Sequence, residues 1–325
     1  MTTRPTPPHR LATTLTTLVV PLLVLVATVL VAHGWSPRLP DPVAVHWGAS
    51  GAPDGFGSAT GLVVLPLVLV PLFSLGMWAL GFYAGRDTST RRLAAGTSTG
   101  LAVLMATITL GSLAIQLDLP DTADAPGVDG VMGIAFGAAV VAGGLVAALV
   151  PRTPPLPTSA PVDASAPRTS LAPAERAAWS RTVTSPAGAW VGGGSVLLVT
   201  ALALALQIPA LLVLAAGLGL LLGTNLVLRA TVDDRGLVAR SPLGWPSVRV
   251  PLDEVVAARA VQVDPFGDFG GWGYRIGTGG RVGFVLRKGE GIEVERTGGR
   301  VTVVTVDDAQ QAAALLNTLA DRART

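Results

Sequence analysis

An imidazole and two carboxylates stand close together in one polar segment, at Asp41, His46 and Asp54. One His and two Asp side chains are suitable ligands for a metal cation. A lone histidine with no second His or Cys nearby is a weak metal signal, however. These residues therefore read as structural, with Asp41 and Asp54 capping turns and His46 packing beside Trp47. The chain has no cysteine, which removes disulfides, thiolate nucleophiles and cysteine-based metal sites. It also lacks a serine-nucleophile motif, an HExxH pair and a phosphate-binding loop. The sequence-based expectation is a protein with no catalytic residue, no metal and no cofactor.

The segment that holds these side chains runs Leu39-Pro40-Asp41-Pro42-Val43-Ala44-Val45-His46-Trp47 and on through Gly51, Pro53 and Asp54 to Gly57. Its prolines and glycines forbid a helix. Val43 and Val45 alternate with Ala44 and His46, which predicts a short strand. Pro53-Asp54-Gly55 predicts a tight turn after it, because proline fixes φ and glycine accepts φ > 0.

Long apolar runs flank this segment. Half of the 325 residues are hydrophobic, 14% are charged and the mean hydropathy is +0.56. An ordinary soluble domain is roughly 25% charged, so the composition is that of an integral membrane protein. A span needs about 20 apolar residues, and there are about six candidates: 11–32, 61–84, 93–117, 131–150, 190–206 and 209–228. Pro21 is expected to bend the first and Pro66 and Pro71 to kink the second. Glycine pairs at Gly96/Gly100, Gly133/Gly137 and Gly219/Gly223 predict close helix contacts. None of the assigned spans holds an Asp, Glu, Lys or Arg, which argues against charge-coupled transport.

Charge sets the expected orientation. Arg4 and Arg10, then Arg86, Arg91 and Arg92, then Arg152, Arg168, Arg176 and Arg181 fall on one side of the spans. The other side has Arg38 against Asp118, Asp121, Asp124 and Asp129. The expectation is a multi-pass protein of the cell membrane with both termini cytoplasmic and the His46 segment outside. A net charge of +2 with scattered arginines gives no nucleic-acid footprint.

The order Leu39-Pro40-Asp41, His46-Trp47, Gly51, Pro53-Asp54 resembles the small domain of unknown function, family sixteen-forty-eight, that precedes the membrane core in relatives of the Sdp immunity protein. The resemblance names a family and implies no reaction. The chain then divides into a disordered basic tail (1–10) and a four-span region (11–150) that contains the loop domain (34–60). A Pro-rich stretch (151–189) reads as a flexible cytoplasmic linker, with a short helical pattern at Ala174 to Trp179. A two-span hairpin (190–229) and a β-rich region (230–325) complete the chain.

In that last region alternation at Val282/Phe284/Leu286, Ile292/Val294 and Val301/Val303 predicts about seven strands. A C-terminal helix comes after them, capped by Asp307 with Gln310 reaching back and carrying Ala312, Leu315, Leu316 and Leu319 on its inner face. This pattern is similar to the bacterial PH-like fold found at the ends of actinobacterial membrane proteins, so the expected class is membrane all-α plus a cytoplasmic β-rich PH-like domain.

One glycine-rich loop concentrates Phe266, Phe269, Trp272, Tyr274 and Arg275 in a chain only 5% aromatic. Trp272 and Tyr274 are expected in the core. Phe266 and Phe269 are expected at the inner membrane interface or against a protein partner, with Arg275, Arg281 and Arg287 facing anionic headgroups. Together these readings point to a non-enzymatic protein that senses or sequesters something outside and couples it to the β-rich module. Transport of a neutral or amphipathic substrate is the alternative, and an enzyme comes third.

Overall fold

A computed structural model describes residues 6–48, 50–172, 174–208, 210–244 and 246–324. Most of the expected basic tail, together with Pro173, Pro209 and Trp245, lies outside the described residues. The chain divides into two compact units, Thr6–Thr153 with Leu202–Leu211, and Pro154–Ala201 with Leu212–Thr325.

In the first unit α1 (Arg10–Thr14), a π-helical turn (Leu15–Val19) and α2 (Val20–Trp35) form the first long apolar helix. A β-hairpin comes next, β1 (Val43–Trp47) and β2 (Pro53–Gly57). After it are α3 (Ala59–Ala79), continued by a second π-helical turn, then α4 (Thr88–Ala114) and α5 (Asp129–Leu149). Ser58 caps α3 by accepting from the Gly61 amide, as Ser at this position should. The expected turn at Pro53-Asp54-Gly55 is instead strand. The reversal occurs one step earlier, where Gly51 sits at φ +79° and its amide donates to the Gly48 carbonyl at 2.9 Å.

α4 packs against α2, α3 and α5. Being enclosed, it can carry polar groups inward, and Thr90, Ser98, Thr99, Thr109 and Ser112 are all buried. Pro21 has no N–H to offer the Thr17 carbonyl four residues earlier; the Ser98 hydroxyl donates to that carbonyl at 2.8 Å. Of the three glycine pairs, only Gly96/Gly100 makes the expected close contact. Its partner is Gly143, where an added Cβ would lie 2.6 Å from the Gly96 carbonyl oxygen, whereas Gly133, Gly137 and Gly223 face open space.

α4 also begins earlier than hydropathy suggests and so contains Arg91, which is 1% exposed. This corrects the expectation of spans free of ionisable groups. The guanidinium donates to the Gly85 carbonyl at 2.6 Å, the Pro151 carbonyl at 2.9 Å and the Thr153 hydroxyl at 3.2 Å. It thus satisfies carbonyls that a helix end and a loop leave open.

The second unit contains β3 (Trp179–Thr184), α6 (Pro186–Ala205), α7 (Ala210–Asn225), β4 (Val227–Asp233), β5 (Gly236–Arg240), β6 (Ser247–Val250) and β7 (Val255–Val263). It continues with α8 (Pro265–Phe269), β8 (Gly273–Ile276), β9 (Val282–Val285), β10 (Gly289–Arg296), β11 (Arg300–Thr305) and α9 (Ala309–Arg322). One antiparallel sheet has the order β3-β4-β5-β6; the other has the order β7-β10-β11-β9-β8, with β9 and β11 parallel. Alternation drives both, as in β4, where Leu228, Ala230 and Val232 are buried.

Among the described residues five helices are long and apolar enough to cross a membrane, Arg10–Arg38, Ala59–Ala84, Thr88–Ala114, Asp129–Leu149 and Pro186–Ala205. The expected sixth span is a shorter apolar helix, because the chain becomes strand at Val227 and Leu228 is buried in the sheet.

Three further expectations are corrected here. The Pro-rich stretch belongs to the β-rich unit: Val162 is in its core, the Thr158 amide donates to the Asp253 carbonyl, and Arg168 pairs with Asp321. Trp179, placed in a short helix by sequence, starts β3. α9 buries Ala312, Leu315, Leu316 and Leu319 as predicted, but neither Asp307 nor Gln310 caps it. Asp307 pairs with Arg287 and Asp308 with Arg181, which draws both carboxylates away from the helix amides.

A buried ion triad closes one end of this unit. Glu254 meets Arg296 at 2.6 Å and Arg300 at 2.9 Å, and its other oxygen accepts the Leu156 amide at 3.1 Å. Burial raises the Glu254 pKa, but the hydrogen bond and charge of Arg296, the Leu156 amide and Arg300 outweigh it and hold the group below its ordinary 4.5. Glu254→Gln leaves two buried arginines without their anion and should cost about 3–5 kcal/mol in thermal or denaturant unfolding of the full chain. The stabilisation is present above the ordinary value and is lost as pH falls towards the lowered folded value. The gap between wild type and variant should therefore narrow in acid, and a constant gap would refute this linkage.

Candidate functional site

The His46 hairpin is held by groups from well outside its own sequence. Its register pairs Val43 with Gly57, Ala44 with Phe56, His46 with Gly55 and Trp47 with Pro53, with irregular steps on both sides of His46. Gln116, just beyond α4 and fully buried, acts as a surrogate strand for β1. Its carbonyl oxygen accepts the Ala44 amide at 2.7 Å and its amide donates to the Ala44 carbonyl at 3.0 Å and the Ser112 carbonyl at 2.8 Å. The Thr122 hydroxyl donates to the Pro42 carbonyl, and the Trp47 indole donates to the Pro126 carbonyl at 3.0 Å. Arg38 Nε donates to Asp118 at 3.1 Å, a hydrogen bond that holds the exposed Asp118 carboxyl below its usual range.

These bonds turn one face of the hairpin inward. Val43 packs with Ala32, Val63 and Leu113, and Leu39, Val45 and Trp35 lie against that cluster. The opposite face is open, and there His46 Nδ1 lies 2.5 Å from Asp54 Oδ1, with side chains 71% and 53% exposed. Phe56 is exposed beside them in sequence. Asp41 does not join the pair, and among the described residues no group of three His, Asp or Glu side chains converges. His46 is turned to solvent with Asp54, contrary to the expectation of packing beside Trp47, whose indole instead reaches the Pro126 carbonyl. Chemically the face offers a solvated imidazole–carboxylate pair and an exposed ring. That combination is suited to recognition by hydrogen bonding and apolar contact.

Residues 22–70 match the family described as Domain of unknown function (DUF1648). The DUF1648 segment covers most of α2, the whole hairpin and the first half of α3, and it contains all eight residues of the loop motif. No curated protein and no solved structure matches the chain. Gln116 and Thr122, which hold the hairpin, lie outside the DUF1648 segment. The only sequence signal for Gln116 was a lone carboxamide at the end of an apolar run.

In the other unit the aromatic loop is ordered by local chemistry. Asp264 Oδ1 accepts the amides of Phe266 and Gly267, each at 3.1 Å, Pro265 occupies the first turn of α8, and Gly270 ends it at φ +68°. Phe269 is 5% exposed and packs with Val263, Val285 and Val303, while Tyr274 stands edge-on to Phe284. Phe266 is 60% exposed, and Trp272, half-buried, stands edge-on to it at 4.8 Å. The expected places of Phe269 and Trp272 are thus exchanged. Gly277 and Gly283 leave a slot for the Phe269 ring, since an added Cβ at either would lie 2.8 Å or 2.6 Å from it. Arg281 lies over that ring and pairs with Asp268 and Glu293, and Arg275 donates to the Trp272 carbonyl.

Gln116→Ala removes both strand-like bonds and leaves the buried Ala44 amide and carbonyl unpaired. It should lower the thermal midpoint by more than His46→Ala, which removes only a solvated pair and should change stability by less than about 1 kcal/mol with no change in metal content. Zinc that co-purifies with the wild type and is lost in His46→Ala would overturn the structural assignment.

Proposed function

We propose that this is a non-enzymatic membrane protein in which the His46 hairpin is the outward recognition face and the β-rich unit, PH-like in our reading, is the inward readout. The observation that carries the reading is the shortness of the connection. Thr153 is tied to the helical unit through the Thr88 hydroxyl and the Arg86 carbonyl, and Leu156 is tied to the β-rich unit through Glu254. Only Pro154 and Pro155 separate those anchors, and consecutive prolines hold an extended, stiff path. In this reading the short link is the path by which a shift at the α5 end would reach the Glu254–Arg296–Arg300 triad. Two sheets closed by a C-terminal helix support the PH-like reading. The arginine distribution supports cytoplasmic termini, and the DUF1648 match is in keeping with a role like that of the Sdp immunity relatives.

The reading has two tests. A cytoplasm-dependent reporter fused after Asp129 should be silent and one fused after Arg168 active; the reverse at either site defeats the orientation. Gln116→Ala should alter hydrogen exchange around Glu254 and Arg296 in the native chain but not when a flexible Gly-Ser insert separates Pro154 from Pro155. An unchanged exchange pattern in both chains defeats the coupling.

A further inference from the structure

We propose that the Phe266–Trp272 aromatic pair is a bilayer seat, inserted into the interfacial layer of phospholipid beside the root of the α6–α7 hairpin. The pair lines a groove of about 350 Å³ whose other walls include Pro186, Ala187, Leu286 and Lys288. Pro186 is the first residue of a helix long and apolar enough to cross a membrane, so this groove opens where that helix meets the headgroup layer. Trp190, one turn further on, is 83% exposed, and tryptophan at that depth is a usual interfacial anchor. A second tether fixes the level: Asn225, which ends α7, accepts the Tyr274 amide through its side-chain oxygen at 3.3 Å. The aromatic loop is thus held at both feet of the apolar hairpin.

The occupant is lipid by continuity with the span and by the nature of the wall. Two rings standing edge-on, one of them mostly exposed, cost free energy in water and gain it on entering the interfacial region. The surrounding charges are paired, Lys288 with Asp264 at 2.8 Å and Arg287 with Asp307. The seat therefore does not depend on anionic headgroups, in contrast to the role expected for Arg281 and Arg287 from sequence.

The absence of cysteine allows a single label to be placed at will. Full-length Phe266→Cys, Lys288→Cys and, as a control beyond the far end of β8, Thr278→Cys are labelled with a fluorophore in nanodiscs containing a headgroup-nitroxide phosphatidylcholine. The labels at 266 and 288 should be quenched several-fold more by the lipid nitroxide than the label at 278. Aqueous iodide should show the opposite order, and both patterns should be the same with and without phosphatidylglycerol. Equal iodide quenching at 266 and 278 overturns the seat. Protection of 266 from both quenchers overturns it in favour of a protein surface, and quenching that requires phosphatidylglycerol overturns it in favour of charge-driven adsorption.

Discussion

The antiparallel pairing of β3 with β4 is the constraint that fastens the β-rich unit to its apolar helices. These strands are separated in sequence by the whole α6–α7 hairpin, yet Thr184 stands opposite Val227 and the Ser185 amide donates to the Leu226 carbonyl at 3.0 Å. Strands in a sheet lie about 4.8 Å apart, whereas packed helices need about 8–10 Å between axes. The helices must therefore diverge slightly as they leave the sheet, and small residues accommodate them, as where an added Cβ at Gly192 would lie 2.9 Å from Leu222. A two-helix hairpin inserted into a β-hairpin ties the sheet to the apolar segment without a linker. That is why the aromatic loop, part of the other sheet, finds both helix feet within reach.

The helical unit solves a different problem. Apolar side chains gain little by packing on one another in lipid, so association relies on close backbone approach and on hydrogen bonds. The Gly96–Gly143 contact provides the first, and Ser98 with Thr17, Trp78 with Thr14 and Arg91 with three carbonyl or hydroxyl oxygens provide the second. The enclosed helix is accordingly the least apolar of the spans and the most buried.

The His46 hairpin is stable for a reason absent from its own residues. A two-stranded ribbon is marginal in water. Gln116 adds a third backbone-like partner, and Thr122 and the Pro126 carbonyl fasten the two ends of β1. Holding the inner face in this way is what frees His46 and Asp54 for the solvent.

The sequence alone pointed to the membrane class, because runs of about 20 apolar residues are what a hydrocarbon core about 30 Å thick requires. It determined the β-rich C-terminal region, because period-two alternation is a local property. It also determined the inner face of α9 through a helical stripe at Ala312, Leu316 and Leu319. The order of residues in the hairpin was enough to find the DUF1648 segment. Tertiary structure decided whatever required a partner distant in the chain. The Pro-rich stretch read as linker because proline and small polar residues carry no periodic signal, but Leu156 and Val162 find Glu254 and Asp321 across the β-rich unit. Arg91 looked like a loop charge because hydropathy cannot register carbonyls that fold over it. Phe269 and Trp272 exchanged places because the slot that admits a ring is made by Gly277 and Gly283, whose absent side chains matter only once the strands are brought together.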